Sequence, residues 1–586
     1  MSFSFQTEIK NISILLDNYI PDELPDDLFR ELINIKNTIK ILDNIYQGEY
    51  NNIYSIDEDT KLIKNVNVKK GHTPEYIYND GTEPIHYFDY KNNTRYREMS
   101  LPNLTFFIAF IYNSLLIFDT FYTKLYSNLN DDSSNTPIIW TTKEGVIFTY
   151  FKYDEFIIED SPELTTTFIG EEEKNKLFDN NILNDIKSEG TSLYYLETDI
   201  ENFFKSIYTH DLSSLHNLLQ EEDPKLKLKN KIYFEFLDYY NMKINKNHTK
   251  GILTGTISSR ISSELLLLSI DRTIKDNIKD DITYKRYVDD MWFYSDNVSS
   301  LETFKNKLQE ILREINLEIQ HEKTNLSKNI RTRKTGNISK VFNDFSFLTL
   351  DNYEFKVTDL LYINSLISKD KLDLSYWKSF LSILTKKIDK LDLIIDNSII
   401  EGFLVMFIKF GFLHNPLQTR IYKLIDKIKN SNEEHLDIIH KVLQNSSKQI
   451  NNYFNDTIGQ IWHYKLLLCS MDSEIRKKEF DDITEQYNNN DIDLNPMVLF
   501  YFIEEGNDIL NKKILYYIRN RYLVNLSKST QGQFNKLPVG IAYSKWFLLL
   551  IQLKRVGNFN DSRLTTLLND PNNIENLFIP YKILDS

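Results

Sequence analysis

The run Arg286-Tyr287-Val288-Asp289-Asp290-Met291-Trp292-Phe293 sets two adjacent carboxylates between apolar flanks. Tyr284 to Ser295 reads as strand, two-residue turn, strand, which drives both side chains towards one point. Adjacent like charges at a buried turn are costly unless a cation neutralises them, and a divalent ion is the natural partner of clustered oxygens. Asp is also a common turn residue, so the pair alone fits a plain hairpin equally well. Asp199 lies 90 positions before Asp289, at the C-terminal end of the predicted strand Leu193 to Asp199. Alone it would serve as a helix N-cap. If that strand pairs beside the hairpin, Asp199, Asp289 and Asp290 meet at one sheet edge. Three carboxylates there would hold two Mg²⁺ ions (or Mn²⁺) roughly 3.5–4 Å apart, the arrangement for in-line attack on a phosphoryl group.

Between the acidic segments lies Gly251-Ile252-Leu253-Thr254-Gly255-Thr256-Ile257-Ser258-Ser259-Arg260, leading into a helix. The glycines Gly251 and Gly255 allow close backbone approach to a ligand, and the helix start, with Ser259 and Arg260, offers amides to phosphate or base. The segment fits neither a Walker loop nor a dinucleotide fingerprint.

Elements must bring these residues together. Glu201 to Leu219, Ser258 to Ile274 and Leu301 to Ile315 show helical spacing, and Leu317-Glu318-Ile319 reads as a strand. Strands and helices alternate here, which predicts an α+β unit. Residues 1–70 form a predicted N-terminal helical extension, with a clear pattern in Leu28 to Ile45. Residues 71–345 form the α+β unit. It opens with a loop or hairpin at Gly71 to Asn93 and an apolar buried helix from Leu104 to Tyr126. A polar linker, Asn128 to Thr136, and a strand-rich stretch, Trp140 to Glu159, follow. Residues 346–586 are predicted to be all-α, as stacked helix pairs, with helices at Tyr376–Leu384, Leu391–Phe412, Gln418–Ile428, Glu434–Leu443, Ile461–Ser470 and Lys545–Leu553.

The chain has 586 residues and a net charge of −15, which argues against a bulk nucleic-acid coat but not against a local basic channel or an acidic metal site. The single Cys469 excludes an internal disulfide and makes a reducing cytoplasm the expected location. Met1 to Glu8 lacks a signal-peptide pattern, and Leu104 to Phe118 is too short and too interrupted for a membrane span.

In order, Asp199-x4-Phe204, Gly251-x3-Gly255 before a helix, Tyr287-x-Asp289-Asp290, and Glu322-Lys323-Thr324 resemble palm motifs A to D of a reverse transcriptase. The resemblance covers about residues 190–330 and implies a palm and fingers that polymerise deoxynucleotides. It implies dNTP contacts from Arg95, Arg97, Phe204, Ile200 and Lys323. The two arginines suit bidentate contacts to a triphosphate. Phe204 would clash with a ribose 2′-hydroxyl, and Lys323 would stand near the leaving pyrophosphate. Within that family, Arg97 to Asn103, Phe203 to His210, Gly251 to Arg260 and Arg286 to Asp290 resemble bacterial abortive-infection proteins of the AbiK type. This resemblance implies a helical-repeat domain, anti-phage defence, untemplated synthesis of single-stranded DNA, priming from a protein tyrosine, and a homo-oligomer. Leu253-Thr254 replaces the Pro-Gln of ordinary reverse transcriptases, a departure shared with the AbiK type that puts templated copying in doubt.

Tyr46, with Tyr50 and Tyr54 nearby, is the candidate primer. Lys323, Lys328, Arg331, Arg333, Lys334 and Lys340, with no acid among them, are a candidate electrostatic track for a nascent strand. Two other readings stay open: a templated enzyme copying a partner RNA, and an inactive helical scaffold that binds a phage protein.

Overall fold

The computed structural model describes residues 4–66, 81–118, 139–142, 145–148, 186–328, 336–367, 373–526 and 544–556, apart from gaps of one to three positions inside those ranges. The N-terminal part contains α1 (Ile9–Asp17) and α2 (Ile35–Gln47), followed by the antiparallel hairpin β1 (Tyr54–Ile56) and β2 (Ile63–Val66). The extension is therefore not wholly helical. Asp57 turns the chain: its carboxylate accepts from the Thr60 amide and hydroxyl and pairs with Lys64. This side chain-to-backbone bonding supports a turn in place of a helix.

Of the predicted loop or hairpin at Gly71 to Asn93, residues 71–80 lie outside the described residues and residues 85–90 form the first strand of a hairpin. β3 (Ile85–Tyr90) pairs antiparallel with β4 (Tyr96–Leu101), and Asn92 Oδ1 closes the turn by accepting from the Thr94 and Arg95 amides. α3 (Leu104–Ile117) has all but one of its side chains buried, as its all-round apolar pattern required. Its Asn113 satisfies both backbone groups of Ile63. β5 (Ile139–Thr142) and β6 (Gly145–Phe148) form a further hairpin. Residues 119–126, the linker at 128–136 and the rest of the strand-rich stretch lie outside the described residues.

The central unit holds β7 (Tyr194–Asp199), α4 (Phe203–Ser206), α5 (Thr209–Ser214), α6 (Pro224–Ile244), α7 (Ile257–Asn277), β8 (Thr283–Tyr287), β9 (Asp290–Ser295), α8 (Val298–Arg313) and β10 (Asn325–Ser327). The strands form one antiparallel sheet in the order β10-β7-β9-β8. One expected helix, from Glu201 to Leu219, is broken at Ile207. There the Gly251 amide bonds to the Ile207 carbonyl and the Thr209 amide to the Thr249 carbonyl, so backbone groups a helix would need are used across space. Leu317 to Ile319 is not a strand; Ile319 makes a single bridge to Ile200.

The C-terminal part holds α9 (Gly336–Asp344), α10 (Val357–Ile367), α11 (Leu374–Asp389), α12 (Ile400–Leu413), α13 (Gln418–Ser431), α14 (Leu436–Tyr453), α15 (Ile458–Leu468), α16 (Ser473–Asn489), α17 (Pro496–Phe502), α18 (Asp508–Leu526) and α19 (Phe547–Val556). The helices α9, α11, α13, α15, α17 and α19 pack each on the next in a row, and α10, α12 and α14 make a second row. The region is not entirely helical: β11 (Tyr353–Phe355) pairs in parallel with β12 (Leu393–Ile395), so the helix expected from Leu391 starts only at Ile400.

One hydrophobic core runs through all three parts. The C-terminal helices dock on the N-terminal part and on the β3–β4 hairpin. Trp462 donates to the Glu23 carbonyl, Asn495 to the His86 carbonyl, and Tyr501 to Asp27. Lys465, nearly buried, is ringed by Asp26, Asp27 and Asp426. Among the described residues, no helix is long and apolar enough to cross a membrane.

Candidate active site

The sheet register brings the three aspartates together. β7 and β9 are antiparallel neighbours, and Asp199 at the end of β7 is the cross-strand partner of Asp290 at the start of β9. Asp289 occupies the turn between β8 and β9, and its carbonyl accepts from the Ile200 amide. Directly paired residues share one face of a pleated sheet. That face continues from Asp199 and Asp290 to Glu197 and Trp292, whose indole donates to Glu197 Oε1 at 3.3 Å. The opposite face, with Leu196, Met291 and Phe293, is core.

The turn is strained. Val288 sits at φ +53°, a left-handed conformation that a β-branched residue almost never adopts. Such strain collects at functional sites and persists where the surroundings over-determine it.

Lys323 joins the cluster by a short chain of contacts along the edge of β7. The Glu201 amide bonds to the Glu318 carbonyl, the Gln320 amide to the Asp199 carbonyl at 2.6 Å, and the Thr198 and Thr324 hydroxyls meet at 2.8 Å. The intervening 3₁₀ turn, His321–Lys323, carries the lysine ammonium onto Asp199 Oδ2. Partial burial acts to lower the Lys323 pKa, but the bond to Asp199 and the charges of Asp199, Asp290 and Asp289 raise it on balance. Burial and the charges of Asp199 and Asp290 push Asp289 up to about 7.

The residues present fit divalent cations. Asp199 Oδ1 is buried without a hydrogen-bond partner, and the elevation of Asp289 is what carboxylates do when packed without enough positive charge. Among the described residues, no three His, Cys, Asp or Glu side chains are drawn together closely enough to hold an ion as they stand. The Lys323 ammonium supplies the positive charge at Asp199 in this arrangement.

The other predicted residues divide. Phe204 is half-buried on α4 with its ring edge-on to Phe203, and its carbonyl accepts from the Ile252 amide, so α4 and the glycine loop are joined at this residue. Gly251 and Gly255 both have positive φ, +87° and +98°. A Cβ on Gly255 would lie 2.7 Å from Met99 Cε of β4, so this glycine lets the loop close on the β3–β4 hairpin. The Ser100 amide completes that junction by bonding to the Thr254 carbonyl. Arg97 is exposed on β4, and Arg95 is exposed at the hairpin turn.

Three expectations are corrected. Ile200 is only 2% exposed, packed in the core, with its amide bonded to Asp289, so its side chain offers no nucleotide contact. Ser259 is fully buried, and its amide donates to the Thr256 N-cap hydroxyl in place of a phosphate. Arg260 is turned inward onto Glu264. Tyr46 packs edge-on against Phe5 at the end of α2, in the N-terminal core. Tyr54 and Tyr50 are buried, with the Tyr54 hydroxyl on the Thr105 carbonyl and the Tyr50 hydroxyl accepting from Asn44. In the basic run, Lys328 and Lys340 lie over the rings of Tyr194 and Tyr376, while Arg331, Arg333 and Lys334 lie outside the described residues.

One residue was missed. Lys91, where β3 gives way to the hairpin turn, lies in the field of Asp199, Asp289, Arg97 and Lys323. Partial burial, then the charges of Arg97 and Lys323, lower its pKa, while the aspartates oppose the shift. Its neighbours in sequence, Asp89-Tyr90 and Asn92-Asn93, gave no cue; only the folding of the hairpin against the central unit brings it near the acids.

Comparison with known proteins agrees with this geometry. Residues 152–348 match the family described as reverse transcriptase (RNA-dependent DNA polymerase). Residues 152–348 are thus similar to a reverse transcriptase domain. Retron Ec83 reverse transcriptase of Escherichia coli is 32% identical over 114 residues, which is 19% of this chain and 36% of the relative, so the match spans about a third of that protein. Among solved structures, apo telomerase from Candida tropicalis shows a distant likeness (14% identity, 72% of each chain, TM-score 0.30). Telomerase from Candida albicans with a fragment of telomeric RNA shows another (11% identity, 65% of this chain and 68% of that one, TM-score 0.27).

Proposed function

We propose that the protein is a DNA polymerase that makes single-stranded DNA from dNTPs without a template, primes on one of its own tyrosines, and acts in anti-phage abortive infection as a homo-oligomer. The observation that carries the polymerase part is the cross-strand pairing of Asp199 with Asp290, with Asp289 in the strained turn beside them.

Asp199, Asp289 and Asp290 would hold two Mg²⁺ ions, which when bound lower the pKa of an attacking hydroxyl and neutralise charge on the phosphates. In the reaction, the attacking hydroxyl would give up its proton to water as its oxygen bonds to the α-phosphorus of a dNTP, the bond from the α-phosphorus to the α–β bridging oxygen breaks, and pyrophosphate leaves. Lys323 is poised to move from Asp199 to the leaving group. Lys91 and Arg97 would bind the triphosphate from the hairpin, and Phe204 would exclude a 2′-hydroxyl.

Untemplated synthesis is supported by Leu253-Thr254. Leu253 is buried and the Thr254 carbonyl is tied to Ser100, so no amide side chain is offered to a template–primer at this place. Tyr46 stays the priming candidate, since Tyr50 and Tyr54 are buried; its use requires the end of α2 beside Gly48 to open. The alternative of a templated enzyme copying a partner RNA draws support from the likeness to a retron reverse transcriptase.

The test is incubation of purified protein with labelled dNTPs and Mg²⁺, or Mn²⁺, after RNase treatment and with no added nucleic acid. A labelled, protein-linked product of rising mass supports the proposal, and its loss in Tyr46→Phe identifies the primer. Synthesis only when an RNA is restored replaces it with the templated reading.

A further inference from the structure

Behind the catalytic turn lies a buried ionic cluster that the chemistry above does not use. Arg286, on β8, is fully buried, as are Glu264 and Asp271 on α7. Its guanidinium spends every nitrogen inside the protein. Nε donates to Asp271 Oδ1 at 2.9 Å and Oδ2 at 3.0 Å, and Nη2 to Asp271 Oδ2 at 2.6 Å and Glu264 Oε1 at 3.0 Å. Nη1 donates to Glu264 Oε2 at 2.8 Å and to the Val288 carbonyl at 3.3 Å. Arg260 donates to the same Glu264 oxygen, and the Tyr284 hydroxyl to Asp271.

This arrangement is expensive as a means of stability alone. Buried ion pairs lose hydration that their attraction only partly restores, and apolar packing of equal volume often does better. What the guanidinium does that an apolar side chain would not is bond to the carbonyl of Val288, the residue held at φ +53° immediately before Asp289. The same cluster reaches, through Glu264 and Arg260, to the helix that begins at the Gly255 loop. A planar fork fixed on two carboxylates is a rigid support, which a lysine cannot reproduce.

We infer that Arg286 is a positioning residue: anchored on Glu264 and Asp271, it holds Val288 in its left-handed conformation and so sets the place of Asp289 against Asp199. The inference rests on the polymerase reading for its kinetic test but not for its structural one.

The experiment is a double-mutant cycle of Arg286→Lys and Val288→Gly in the full-length protein. Arg286→Lys keeps the charge and loses the fork; Val288→Gly removes the strain that the fork restrains. Expected is a fall in kcat of about 10-fold or more for R286K with dNTP KM changed less than about 3-fold. The loss should shrink to about 3-fold when R286K is made on V288G. Hydrogen exchange of the segment 286–292 should quicken in R286K while α7 stays protected, and this readout needs no activity. Tyr284→Phe, which removes another bond to Asp271, should shift melting without changing kcat. Should R286K fail to fold, Glu264→Gln, which weakens the same fork isosterically, is read in its place. Equal losses on both backgrounds, or unchanged exchange at the turn, overturn the inference. If the wild type shows no nucleotide incorporation under any condition, the polymerase reading fails, and the exchange result alone still decides the role of Arg286.

Discussion

Replacing Asp289 by Asn should abolish synthesis and, at the same time, stabilise the metal-free protein. Asp289 is raised from 3.8 to about 7 by burial and by Asp199 and Asp290. A raised acid is favourable to the fold while protonated: that contribution is complete below the unfolded pKa and is lost as pH rises through about 7. A shift of about 3 units corresponds to about 4 kcal/mol at pH 8, at about 1.4 kcal/mol per unit. Because the raised Asp289 depends on the charges of its neighbours and Lys323 offsets part of the repulsion, about 2–4 kcal/mol is the range expected for the gain in D289N. That is roughly 5–10 °C in the melting transition that carries the central sheet. The assay is thermal melting of both proteins in EDTA across pH 4 to 8, with dNTP incorporation measured in parallel. The gap should be widest at pH 8 and close near pH 4, where both side chains are neutral. Adding Mg²⁺ should raise the melting point of the wild type and narrow the gap. A D289N protein that is no more stable than wild type at pH 8 would refute the like-charge account of the site.

Phe204→Ala or Phe204→Val should raise rNTP incorporation relative to dNTP by about 10-fold or more, since a steric contact of this kind contributes about 1–3 kcal/mol of discrimination; unchanged discrimination would sink the gate role. Gly255→Ala should destabilise by about 1–2 kcal/mol, because φ +98° disfavours any Cβ and that Cβ meets Met99, and melting with a dNTP titration would show both effects. His463 on α15 is fully buried, contacts Tyr422 and Ser447, and is lowered by burial to about 3. Its neutral form is therefore required by the fold, so the His463 contribution to stability should fall as pH drops below about 6.5, by about 1.4 kcal/mol per pH unit towards 3, and be constant above 6.5. His463→Gln should flatten that slope in acid titrations of unfolding.

Much of the central unit was legible because its signals are local. The alternation and turn from Tyr284 to Ser295 fix a hairpin by backbone geometry, and the aspartates fall at its tip and at the end of β7 as the pattern required. Glycines at 251 and 255 announce positive φ for the same reason. What stayed hidden depends on partners distant in the chain. The break of the Glu201–Leu219 helix comes from backbone bonds to residues 249 and 251. The inward turn of Arg260 depends on Glu264 being shared with Arg286.

By itself, then, the sequence placed the aspartates at a hairpin tip and at a strand end and marked most of the central strands and helices, because turn propensity and side-chain period are properties of a few neighbouring residues. Only the tertiary structure decided that Asp199 faces Asp290, that Lys323 rests on Asp199, that Lys91 comes within the field of the acids, and that Tyr50 and Tyr54 are core. These depend on register and on packing between segments tens to hundreds of residues apart, and a one-residue slip of β7 against β9 would turn Asp199 to the opposite face.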